Sequence, residues 1–188
     1  METTAGSARL CWYSARNHFR LDRMSDLIVP PVTQYLRESC IRGGMDLMFF
    51  ANTRHLKKAD DRLASLKLGR AHHRVLYFVA RRPDLSVGEL LAILDITKQS
   101  ATRTLKELVA RGLMTTRPGE RDRRQRLLRL TEPGSQLERE IFDDLHANVE
   151  NAYAAAGGVA VAGFWAVMQQ LMDVDARRQF RAMYLEEE

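Results

Sequence analysis

Residues 95–134 read DITKQSATRTLKELVARGLMTTRPGERDRRQRLLRLTEPG, and three kinds of pattern follow one another inside them. Thr97 is of a type that caps helices, and Gly112 stands where a helix-ending glycine belongs, so "KQSATRTLKELVARG" is predicted as a helix. "LMTTRP" and "RLLRLT" contain Thr115, Thr116, Leu127 and Leu128, which suit strands, and are parted by a loop at 119–125. Together they predict an antiparallel hairpin. Arg121, Arg123, Arg124, Arg126 and Arg129 fall at its tip and on its returning strand, after which "LTEPG" opens another helix.

The predicted helix has two faces. Ala101, Leu105, Leu108 and Val109 follow the i, i+4, i+7, i+8 spacing and are expected to face a core. Lys98, Gln99, Thr102, Arg103 and Lys106 lie on the other side, with no acid before Glu107. From Thr97 to Leu130 ten Lys/Arg meet three acids, a local charge of +7 in a chain whose net charge is +5. The rest of the chain is therefore slightly acidic. A localised basic island of this kind is what a polyanion site looks like.

Upstream, "VTQYLRESC" reads as a short helix, Gly43-Gly44 as a break, and Met45 as the start of a long helix. Leu47, Phe50, Leu56, Leu63 and Leu66 mark its apolar side, and Gly69 its end. "AHHRVLYFVARRP" is a short apolar helix stopped by Pro83. Ser86 and Glu89 form a capping box for "VGELLAIL", and "LDI" makes a tight turn. Downstream, Leu137, Ile141, Leu145, Val149 and Tyr153 recur every four residues as far as Gly157-Gly158. A further helix carries Phe164, Val167, Met168 and Leu171, and "ARRQFRAMYLEEE" closes the chain with a frayed acidic tail. Residues 1–30 show little periodicity, and Met24 is an alternative initiator.

Three helices followed by a hairpin is the winged helix-turn-helix arrangement, so the expected fold is mainly α with a small β-hairpin wing. In that arrangement the third helix enters the major groove of double-stranded DNA. Thr97, Lys98, Gln99, Ser100, Thr102, Arg103 and Lys106 are the residues it would present. Gln99 suits adenine and Arg103 guanine, while Thr97, Ser100 and the helix N-terminus suit phosphates. An arginine at the hairpin tip suits the narrow minor groove.

The run "LSVGELLAILDITKQSATRTLKELVARGLMTTRPGERDRRQRLLRLTEPG" resembles the winged-helix core of MarR-type (multiple antibiotic resistance) transcriptional regulators. The resemblance is carried by the "DITKQSATRTLKELVARGL" unit, the "DRR" of the wing and the "LTEPG", and extends in helix order from about Met45 to Met172. It implies a homodimer that grips a near-palindromic operator, with four regions: 1–42 as an N-terminal extension, 43–68 as a first dimerisation helix, 69–134 as the DNA-binding lobe and 135–188 as C-terminal dimerisation helices. It also implies that Asp122 orients a wing arginine through an ion pair, and that Arg123 or Arg124 reaches the minor groove beside Arg121 and Arg126. A small aromatic or phenolic ligand, bound in a cleft beside the DNA-binding lobe, would relieve repression. Phe49, Phe50, His72, His73 and Tyr77 are candidates for its wall, against the plainer reading of each as core.

Other chemistry is thin. No phosphate loop, metal-ligand spacing or nucleophile elbow appears, so no catalysis, metal or cofactor is expected. His72 and His73 are adjacent, which on a helix sets them about 100° apart and makes them poor co-ligands. His55 and His146 have no ligand-like spacing. Trp12 and Trp165 read as packing groups. No apolar run reaches the roughly 18–20 residues of a membrane span, and no secretory signal opens the chain. Cys11 and Cys40 make no framework of bridges, which points to a reducing cytoplasm. Two other functions stand beside DNA-binding regulation: a winged-helix interaction module docking an acidic partner, and a cysteine-based redox-sensing regulator using Cys40. Against the second, the register places Met45 rather than Cys40 nearest the cysteine that some relatives use.

Overall fold

Leu56 divides what the apolar periodicity joins: α1 runs Glu38–His55 and α2 Lys57–Ser65, in the computed structural model that describes residues 27–185. Gly43-Gly44 is not a break but lies inside α1. An interior glycine costs a helix about 1 kcal/mol against alanine, and good helix formers such as Met45, Leu47, Met48 and Ala51 follow the pair. Among the described residues a 3-10 turn, Val32–Gln34, precedes α1, and Cys40 sits within α1. Cys11, Trp12 and Met24 lie outside the described residues. The stop of α2 comes at Lys67, which is left-handed (φ 54°), before Gly69 is reached. The Lys67 and Leu68 amides bond back to the Ala64 and Leu63 carbonyls at 2.9 and 2.8 Å, closing the turn.

α3 (Arg70–Arg81) ends just before Pro83 and leads to a two-residue strand, β1 (Leu85–Ser86). Ser86 then caps α4 (Val87–Leu94): its Oγ accepts from the Glu89 amide at 3.2 Å, and the Glu89 carboxylate accepts from the Ser86 amide at 2.9 Å. The capping box is therefore formed as the spacing predicts. Asp95 (φ 50°) turns the chain toward α5 (Lys98–Ala110), which Thr97 caps through a 3.3 Å bond from the Ser100 amide. Gly112 ends that helix at φ 67°, a conformation glycine adopts without a Cβ clash.

The predicted hairpin is present as β2 (Met114–Pro118) and β3 (Arg126–Leu130), in register from Met114 opposite Leu130 to Pro118 opposite Arg126. β1 adds to its far side, with Leu85 opposite Leu128, so the sheet order is β1-β3-β2 and β3 is central. β1 is too short to leave a periodic signal, and sequence reading missed it.

α6 (Glu132–Ala156) begins where Thr131 bonds twice. Its hydroxyl donates to the Gly112 carbonyl at 2.6 Å and accepts from the Gly134 amide at 3.2 Å. The first turn of α6 thereby lies on the start of β2. A Cβ on Gly134 would fall 1.8 Å from the Leu113 carbonyl oxygen, which explains the glycine of "LTEPG".

Leu63, Val75, Leu76, Val79, Leu90, Leu108, Met114, Leu128 and Ile141 are fully buried. The core thus sits between α2, α3, α4, α5, the sheet and the first half of α6. Each such side chain contributes about 1.5–3 kcal/mol relative to exposure. On α5 the buried set is Ala101, Thr104 and Leu108, with Leu105 half-buried. Val109, expected inside, is 40% exposed: Thr104 takes the inward place, since 101, 104 and 108 share one stripe.

Outside this core the chain leaves apolar surface open. α1 has no buried residue, nor has α7 (Gly158–Leu171). Leu47, Phe49 and Phe50 on α1 and Phe164, Val167 and Leu171 on α7 are all more than half exposed. α8 (Val174–Leu185) packs Phe180 and Tyr184 against Trp165, whose indole N–H donates to the Tyr153 hydroxyl at 3.1 Å. Trp165 is a packing group, as its spacing suggests. Among the described residues no single helix is long and apolar enough to cross a membrane.

Candidate nucleic-acid interface

The N-terminal half of α5 carries side chains with unused hydrogen-bonding capacity. Lys98, Gln99 and Lys106 are exposed and have no side-chain partner among the described residues. Thr97 and Ser100 share a 3.0 Å hydroxyl contact at the cap. Thr102 is half-buried, and its hydroxyl donates to the Lys98 carbonyl at 2.6 Å, which turns it along the helix. Arg103 is 88% exposed at its side chain, and its Nε donates to the Glu107 carboxylate at 3.2 Å.

Glu107 has a second partner. Its other oxygen meets His72 Nε2 at 2.7 Å, and His72 Nδ1 accepts the Gly69 amide at 3.1 Å. Because a backbone N–H fills Nδ1, the hydrogen of the neutral ring is on Nε2 and points at Glu107. The His72 bond, then that from Arg103, holds the Glu107 carboxyl below the usual carboxylate range. His72 thus joins the start of α3 to the recognition helix.

The basic residues of the hairpin fall into two groups. Arg117 on β2 and Arg129 on β3 converge on Asp84, in the turn before β1. Arg117 Nε reaches it at 3.1 Å and Arg129 Nε at 3.2 Å, with a further Arg129 Nη2 bond. Arg117 also pairs with Glu120 at 3.1 Å. The guanidinium of Arg117 and then that of Arg129 lower the Asp84 carboxyl to about 2. These two arginines are committed to holding the sheet together. Arg121, Arg123, Arg124 and Arg126 are exposed, and none has a side-chain partner among the described residues.

Asp122 does not pair with a guanidinium, contrary to the implied ion pair. Its carboxylate accepts from the Arg124 backbone amide at 2.9 Å and its carbonyl from the Gln125 amide at 3.0 Å. The tip is thereby bent by a side-chain-to-backbone turn, leaving the Arg124 guanidinium unengaged. Asp84 was missed in sequence reading. Its only signal is an acid after Pro83, and its partners lie 33 and 45 positions away.

Phe49, Phe50, His72, His73 and Tyr77 line neither the hollow beside Pro83 and Ser135 nor the cleft between α1 and α6. Phe49 and Phe50 are exposed on α1 with their rings edge to face. His72 serves Glu107, while His73 stacks edge-on to Tyr77, and burial lowers the His73 pKa. A cleft of about 820 Å³ lies instead between the α1–α2 junction and α6, lined by Arg54, His55, Lys57, Lys58, Asp144 and Asn151 among others.

The model of the MarR family matches residues 66–125, which span α3 to the wing loop. The HTH-type transcriptional regulator PetP of Rhodobacter capsulatus is 41% identical over 149 residues, covering 79% of this chain and 90% of the relative. Among solved structures, a mutant MarR from E. coli complexed with operator DNA is similar at TM-score 0.56. It is 20% identical, over 77% of this chain and all of that one. NadR in complex with 4-hydroxyphenylacetate gives a TM-score of 0.61 at 19% identity, over 71% of this chain and 93% of that one. At such identities the two structures establish the fold, and the PetP match establishes kinship. The capped recognition helix, the arginine-tipped wing and these matches agree: the chain belongs to the MarR family of transcriptional regulators, DNA-binding proteins of the winged helix-turn-helix class and not enzymes.

Proposed function

We propose that this regulator is a homodimeric repressor that binds a near-palindromic operator and releases it when a small ligand binds. The observation that carries the reading is the division among the wing arginines. Two are paired with Asp84 and Glu120, and four, Arg121, Arg123, Arg124 and Arg126, have no side-chain partner among the described residues and lie on an exposed hairpin. Unpaired cations at one tip gain little from folding and much from phosphate contact, through release of counterions. Lys98, Gln99, Ser100, Arg103 and Lys106 would read or anchor the major-groove side, and Thr97 and Thr102 would hold the helix start in shape.

The dimer rests on the open apolar faces of α1 and α7. Exposed patches of this kind mark association surfaces on soluble proteins. Residues 43–68 and 135–188 would then serve association, and 69–134 the DNA. For the ligand, the relevant support is that NadR was solved with a phenolic carboxylate. Arg54 and Lys57 in the α1–α6 cleft suit the anionic group of such a molecule. Phe49, Phe50, His73 and Tyr77 supply aromatic surface on the neighbouring helices.

Selection of bound sequences from a random DNA pool tests this reading. A near-palindrome is the expected result. Recovery of no sequence preference, with binding to an acidic protein instead, would turn the winged helix into an interaction module.

A further inference from the structure

We infer that Glu107, held by His72, is a positioning residue that buttresses Arg103 and so gives the recognition helix its preference for guanine. The inference rests on the proposed reading that α5 enters the major groove. Arg103 projects from α5 with 88% of its side chain exposed, and a free arginine there would sample many rotamers. Glu107, one turn further on, takes only Nε. Among the described residues nothing engages either Nη group along the outer edge of the guanidinium, the edge that pairs with guanine O6 and N7.

The buttress is itself fixed. The Glu107 side chain is one-third exposed, and His72, only 13% exposed, occupies its second oxygen at 2.7 Å. His72 in turn is oriented by the Gly69 amide at the cap of α3. The aim of Arg103 is thus referred to the core rather than to its own flexible stem. Glu107 also sets one negative charge among the cations of α5, which weakens attachment to phosphates of any sequence. Both effects raise discrimination, one by favouring the right base and one by penalising contact that ignores the base.

The test measures binding of wild type, Arg103→Ala, Glu107→Gln, Glu107→Ala, His72→Phe and the Arg103→Ala/Glu107→Ala double variant. The probes are three duplexes: the selected operator, the same duplex with guanine replaced where Arg103→Ala loses its preference, and a random sequence. Both Glu107 variants are expected to cut the guanine preference by about tenfold, with unchanged or tighter binding to the random duplex. His72→Phe should move in the same direction. The double variant should be no less selective than Arg103→Ala alone. Thermal melts report folding, and if Glu107→Ala is unfolded, Glu107→Gln decides. Unchanged preference in a folded Glu107 variant, or losses that add to that of Arg103→Ala, would overturn the inference while leaving DNA binding intact. A wild-type protein with no preference between the duplexes would remove the operator reading and the buttress together.

Discussion

The carboxylate of Asp84 and the guanidinium of Arg129 fasten the turn before β1 to the central strand of the wing, with Arg129 Nε at 3.2 Å. Arg117 reaches the same carboxylate from β2, so one acid ties together all three strands of the sheet. Asp84 has a positive φ of 66°, which aspartate and asparagine tolerate better than most residues.

Asp84→Asn therefore keeps the turn and removes the charge. The folded carboxyl value is depressed from 3.8 to about 2, so its ion pairs stabilise the fold above pH 3.8 and are lost as pH falls toward 2. Melting curves of wild type and Asp84→Asn should differ by a constant amount from pH 5 to 7 and converge near pH 2. Parallel curves down to pH 2 would remove the clamp.

Arg124→Ala leaves the fold untouched, because the Arg124 backbone amide, not its guanidinium, is what Asp122 holds. Operator affinity should fall by about 1–3 kcal/mol if the side chain reads the minor groove. Arg126→Ala, if it removes a single phosphate contact, should weaken all sequences alike and reduce the salt slope by about 1. Arg117→Ala should instead lower the melting temperature, since that side chain is spent on Asp84 and Glu120. Gel-shift titrations over salt, paired with melts, separate the three.

Val167→Glu or Leu171→Glu places a charge on the open face of α7, where both residues are 61% exposed. The isolated fold should tolerate either. Light scattering should show a shift from dimer to monomer, and operator binding should weaken with it. A persisting dimer in both variants would move the association surface away from α7.

Gly134→Ala should destabilise by at least about 2 kcal/mol, because the added methyl meets a backbone carbonyl that cannot rotate aside. Denaturant unfolding of the variant measures this directly.

The legible parts of the sequence were those fixed by short-range chemistry. The caps at Ser86 and Thr97, the glycine at 112 and the hairpin with its loop at 119–125 need only neighbours a few positions away. Gly43-Gly44 misled because a glycine pair lowers helix propensity without forbidding a helix. Val109 misled because the inward line runs through 101, 104 and 108, which leaves position 109 at the edge of the stripe. Asp84 stayed hidden because its role exists only once β1 lies beside β3. His72 was weighed as a ligand-wall residue, yet its partner Glu107 lies 35 positions on, a distance no local pattern spans.

β3 lies in the middle of its sheet, bonded to β1 on one side and β2 on the other. The hairpin is consequently no free flap. Tilting its tip would drag the root of α4 along, so the reading head travels as a single stiff plate. In the proposed dimer, a ligand that loosens the grip on DNA would then have to alter the separation between two such plates, like the span of a pair of callipers, rather than bend either jaw.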